Sequence, residues 1–252
     1  MKHSMLIITV FWLFTLILPL HAQITLDGTV GPAGKAELTG PNYDIRAEFG
    51  KQTGSNLFHS FQDFNINADE SATFRGPDSV QNIISRVTGG NSSRIDGALS
   101  CDISGANLYL MNPAGVMFGR NAALNISGSF HISTADYLRM GENERFYAMS
   151  RANEVLSAAP PTAFGFLDST VSPIRFEDCN IEASAKTISV IAGDIEMIGA
   201  GIADTGGRVN LISAASQGEV RVSESDADVS ALGKLGNITL SENSEGTSSA
   251  IS

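Results

Sequence analysis

The chain has 252 residues, with 27 Asp and Glu against 16 Lys and Arg and a net charge of −11. So acidic a chain is a poor partner for nucleic acid or an anionic lipid surface. Its two cysteines are too few for a disulfide framework.

Lys2 is followed by an almost unbroken apolar run of 13 residues, Leu6 to Leu18. A bilayer span needs about 20 residues. The run ends in Pro19-Leu20-His21-Ala22, so residues 1–22 read as a secretory signal peptide cleaved before Gln23. What remains carries 15 basic and 27 acidic residues, a net charge of −12. Export makes a bridge between Cys101 and Cys179 chemically available. The plainer reading is two small buried residues on different strands.

From Gln23 onward the pattern is strand-like. Asp27-Gly28 and Asp96-Gly97 mark local hairpins or corners. In Asn107 to Gly119, Leu108/Leu110 and Val116/Phe118 alternate with a period of two. That predicts half-buried strands on either side of a tight Asn112-Pro113-Ala114-Gly115 turn. Asp136 to Thr162 is charged and irregular and predicts an excursion, with a helical turn around Ala152 to Leu156.

Farther on, Ile181, Ile188, Ile195, Ile202 and Val209 recur every seven residues. A coiled coil is excluded by Gly193, Gly199, Gly201, Gly206 and Gly207, each costing a helix about 1 kcal/mol. Apolar partners two residues on (Val190, Met197, Leu211) point to short strands, continuing at Val220/Val222, Val229 and Ile238/Leu240. Three such strands give a coil of roughly 21 residues whose aliphatic side chains stack in register. The fold class is therefore all-β, a parallel β-helix with short loop or hairpin excursions. About ten coils at ~4.8 Å spacing make a rod about 45–50 Å long. The Ser- and Glu-rich tail, residues 241–252, holds nothing to cap an open sheet end. It suggests a shortened member of a longer protein type.

Several blocks resemble the two-partner secretion domain, also called the filamentous haemagglutinin N-terminal domain. They are Asn56 to Phe61 with Phe64-Asn65-Ile66, Asn82 to Gly90 (including Arg86 and Gly89) with Ile95-Asp96-Gly97, Asn107-Leu108, and Asn112 to Gly119. Asn125 to Phe130 with Ser133 to Asp136, and Gly206 to Leu211, continue the series. The family's usual Asn-Pro-Asn-Gly-Ile stands here as Asn112-Pro113-Ala114-Gly115-Val116. The resemblance implies a right-handed β-helix. It divides the chain into a secretion core over 23–165, further coils over 166–240 and the tail. It also implies a Gram-negative-type bacterial protein that passes through the periplasm to the surface or the medium. Its partner would be an outer-membrane β-barrel transporter with periplasmic recognition domains. The signal adds the Sec machinery and signal peptidase, and adhesin-like relatives add a host or neighbouring-cell surface.

Asn112, Pro113 and Gly115 then have two readings, a signal read by the transporter or a β-helix corner held by an Asn side chain. Asn82 and Asn107 share that ambiguity, and Gly119 closes the matching block. No catalytic constellation stands out. Gly34-Lys35 lacks a P-loop context, no Gly-x-Ser-x-Gly occurs, and zinc-type His or Cys pairs are missing, so no cofactor or metal is expected. Asp226 and Asp228 read as a solvated strand face. The expectation is a non-enzymatic export module. A glycan-binding adhesin is the rival, and a β-helical polysaccharide lyase comes third.

Overall fold

The computed structural model describes residues 23–223 and 226–252, so the signal-peptide reading of residues 1–22 lies outside the described residues. Four strands show how the chain is wound. Ile188–Ala192, Ile195–Ile198, Gly201–Asp204 and Val209–Ser213 follow one another through short corners. The first three lie in three different sheets, and the fourth returns to the sheet of the first. Ile188 pairs with Val209 and Ile181 with Ile202, parallel and 21 residues apart. The seven-residue spacing is one step per face, and three steps close a coil of a parallel β-helix.

A long sheet runs the length of the rod through Asn56–Phe64, Asn82–Val87, Asn107–Met111, Phe130–Ser133, Ile188–Ala192 and Val209–Ser213. Six coils therefore cross this face rather than about ten. Residues are diverted into an N-terminal hairpin, into the excursion after Ser133 and into a loop after Ser213. Inside the rod, Leu57, Ile83, Leu108, Phe130 and Ile188 stack in register and are all buried. Phe118 and Phe176 stack on the neighbouring face at 4.7 Å. Each such side chain contributes about 1.5–3 kcal/mol by leaving water.

The excursion departs from expectation. Tyr137–Met140, Glu144–Tyr147 and Pro161–Phe166 form an antiparallel sheet that folds back over the outer face of the long sheet. Phe58, Ile84, Tyr109, Met111 and Ile191 pack there against Leu138, Phe146, Phe164 and Val220 in a second core. Asn107–Met111 is consequently covered on both faces instead of half-buried, because Tyr109 and Met111 lie under this lid. Ala152 to Leu156 forms no helical turn; it is open loop. Nor do Val220 and Val222 continue the rod. Their strand, Gly218–Val222, runs antiparallel to Pro161–Phe166, where Val220 completes the second core. Val229 lies outside the strands, whereas Ile238–Ser241 does rejoin the rod beside Ile195–Ile198.

Asp27-Gly28 opens the loop of a hairpin between Ile24–Asp27 and Lys35–Glu37, laid antiparallel on Asn56–Phe64. Asp96-Gly97 is a corner. Asp96 Oδ1 accepts the main-chain N–H and the side-chain amide of Asn121, at 3.0 and 3.1 Å. Asp194 Oδ1 holds Asn237 in the same way, at 2.9 and 3.2 Å. Cys101 and Cys179 are free and buried, the first ending Ala98–Cys101 and the second in the corner before Asn180–Ala183. Burial pushes the Cys179 thiol up to about 11.

Candidate functional site

The family-type residues fall into three groups on the long sheet. One lies where its strands begin. Asn56, Asn82 and Asn107 occupy the same register position on successive strands. Asn107 Nδ2 donates to Asn82 Oδ1 at 3.0 Å, and Asn82 Nδ2 donates to Asn56 Oδ1 at 2.9 Å. Asn56 Nδ2 reaches the carbonyls of Ser157 and Ala159, tying the ladder to the excursion. Stacked amides of this kind satisfy one another along a row that is buried at Asn56 and Asn82 and part-exposed at Asn107. Asn56 opens the first family-type block but was not singled out beside Asn82 and Asn107. Its signal was there, since Asn opens three strands at spacings of 26 and 25 residues.

Strands of five residues place the other two groups about 16 Å away. Asn112 follows directly on Asn107–Met111 and is fully buried. Its Oδ1 accepts the Ala114 N–H at 3.0 Å, and Gly115 N–H donates to the Asn112 carbonyl at 3.0 Å. Its Nδ2 donates to the Asn91 carbonyl and to Ser93 Oγ, both one coil back. Thus Asn112 closes its own turn and fastens it to the previous one. Gly115 is needed because φ is +106°, where an L side chain is strained. Pro113 and Ala114 form the half-buried tip. Gly119 lies against the Asp96 carboxylate and Gly89 against the Gln62 carbonyl, each too close for a Cβ.

Arg86 belongs to neither amide group. It is fully buried in a polar cluster between the rod, the N-terminal hairpin and the excursion. Its Nε donates to Ser60 Oγ, its Nη2 to Thr29 Oγ1, and its Nη1 to the Tyr147 carbonyl and Glu154 Oε2, the last at 2.7 Å. The guanidinium carbon lies 4.6 Å over the Phe146 ring. Ser60 and Thr88 donate in turn to Asp27. Burial alone would raise the Asp27 carboxyl, but hydrogen bonds from Ser60, Thr29 and Thr88 outweigh it and hold the group below its ordinary range. Ser60 lies in the first family-type block, but Asp27 and Glu154, 59 and 68 residues from Arg86, could not be found from motif reading.

Asp226 and Asp228 are exposed, and Arg221 lies 4.0 Å from Asp228. Among the described residues no group of three His, Cys, Asp or Glu is placed to hold a metal ion.

The site is thus a three-sheet coil with asparagine corners. Residues 22–250 match the family model described as the TPS secretion domain. The chain belongs to the TPS secretion domain family. Such domains belong to proteins secreted by Gram-negative bacteria, and the family implies an outer-membrane transporter as partner. Among curated proteins the chain is similar to a heme/hemopexin-binding protein of Haemophilus influenzae strain Rd, 38% identical over 80 residues. That stretch is 32% of this chain and 8% of the relative. A second heme/hemopexin-binding protein of Haemophilus influenzae is 31% identical over 101 residues, 40% of this chain and 10% of that protein. The matched stretches thus span a tenth or less of the length of these relatives.

Proposed function

We propose that this TPS domain is a non-enzymatic export module, read by its transporter while unfolded and folding into the β-helix only after crossing the outer membrane. One observation carries the reading: Asn112, at the centre of the family motif, is fully buried and makes all its side-chain contacts within the fold. A transporter that reads this side chain has to meet it before the corner closes. Asn82 is buried as well. The recognised unit is residues 23–165. Sec carries the chain to the periplasm, where signal peptidase removes residues 1–22, which N-terminal sequencing of the exported form tests.

Folding outside also gives transport a direction. Each coil stacks on its neighbour and buries apolar surface that would have to be re-exposed for the chain to return. The experiment is a comparison of medium and periplasm with and without the transporter, for wild type, Asn112→Ala and Pro113→Ala. Export that depends on the transporter and is lost in Asn112→Ala, while the purified variant still folds, supports the reading. Export without the transporter ends it.

Adhesion at a cell surface is the finer part of the proposal, tested by binding of the purified protein to whole cells. Haem or haemopexin binding is named for the Haemophilus relatives, and among the described residues the histidines, His59 and His131, are both buried, so a haem would need other ligands here.

A further inference from the structure

Between the long sheet and the edge of the excursion lies a cleft of about 270 Å³. One wall is formed by Asn107, Ser129, Tyr109 and His131, and the other by Pro160, Pro161 and Val222. Tyr109 and His131 stack on each other at 4.5 Å, so their edges rather than their faces are left to meet a ligand. His131 is 5% exposed and its unpartnered Nδ1 is buried, so the ring contributes an edge to the wall and no hydrogen bond to a ligand. Asn107 spends one N–H on Asn82 and one lone pair on the Ser129 N–H, keeping one of each.

Three ligand chemistries can be weighed against these walls. An ion would lose its hydration without a counter-charge, since no lining side chain is acidic, Lys or Arg. A wholly apolar molecule would leave the spare Asn107 groups unsatisfied. A neutral ring with hydroxyls around its rim and C–H groups on its faces satisfies both walls, and the volume suits one hexose. We propose that this cleft binds a single neutral pyranose unit of a glycan. The site is separable from the export reading, because it exists only in the folded domain and the corner around Asn112 does not line it, though Asn82 and Asn107 of the family blocks do.

With about a dozen heavy atoms, such a ligand binds with a dissociation constant on the order of 1 mM. The test is an NMR titration of the folded, signal-free domain with glucose, galactose, mannose and N-acetylglucosamine, with glucuronate as the charged control. Saturable shifts at Tyr109, His131 and Asn107 with at least one neutral sugar, and none with glucuronate, are the expected result. Ser223→Trp, an exposed change at the cleft mouth, removes them while leaving the urea midpoint unchanged. No saturable shift with any neutral sugar overturns the proposal, as do shifts that persist in Ser223→Trp. Export assays on the same variant stay at wild-type level, so failure of this site and failure of the export reading are separable.

Discussion

The Asn112 corner and the Arg86 cluster lie at the same edge of the long sheet, yet they are built by opposite means. The corner is neutral and nearly local: one side chain closes its own turn and reaches back to Asn91 and Ser93. The cluster is charged and gathers Thr29, Ser60, Tyr147 and Glu154 around one guanidinium. A coil can thus shape its own corners as it forms. The Arg86 charge stays without its carboxylate until Glu154, 68 residues on, has arrived. The difference implies that the first half of the rod gains its final stability only when the excursion docks.

Cutting the long-range tie gives the largest effect. Glu154→Ala strands a fully buried charge and lowers the unfolding free energy by about 3–5 kcal/mol, whereas Arg86→Met with Glu154→Leu loses much less. Urea unfolding of the three variants decides this, and equal losses would show that the tie is not electrostatic.

Acid separates the two regions further. Burial lowers the His59 and His131 pKa values to about 4, from an ordinary 6.5. The unfolded chain binds more protons between those values. Stability is therefore full above about pH 6.5 and lost as pH falls toward 4, on the order of 3 kcal/mol for each histidine. Asp27 adds a second stage, because its lowered pKa contributes stability that is lost only as pH falls through that lower value. Asp27→Asn should abolish the second stage and spare the first, and a pH series of melting temperatures reads both.

At the neutral corner the effects are smaller. Asn112→Ala leaves Ser93 Oγ and the Asn91 carbonyl short of a donor and costs about 2 kcal/mol. Gly115→Ala costs about 1 kcal/mol through its positive φ. Ala114→Asn, which restores the family's usual residue at a half-buried tip, should change stability by less than about 0.5 kcal/mol and leave export unchanged. A gain in export from that substitution would show that the residue at 114 is read directly.

The same contrast explains what the sequence disclosed. The parallel coils were legible, because Ile181 to Val209 write their period in single residues and glycines exclude the helical alternative. The Asn112 turn was legible because its determinants lie within four residues. The lid was not. Leu138 and Phe146 lie among charged residues, Phe164 follows a Pro-Pro pair, and their destination on the back of the long sheet depends on pairings that no local pattern encodes. For the same reason Val220 looked like one more rung and proved to belong to the lid. Arg86 was marked only as a family-type residue, and its partners follow from three-dimensional closure.

The paired Asp96–Asn121 and Asp194–Asn237 contacts bear on a different question, how neighbouring turns of the rod stay aligned. Sliding one coil past the next by two residues leaves every aliphatic side chain pointing inward, so oiliness alone cannot forbid it. It would, however, pull each asparagine away from the carboxylate that grips both its backbone and its side chain. The two grips span 25 and 43 residues, the second reaching across an inserted loop, so alignment is kept whatever length of chain is inserted between turns. They act as notches on a ratchet, and a chain that carries them can lengthen its loops without losing its place.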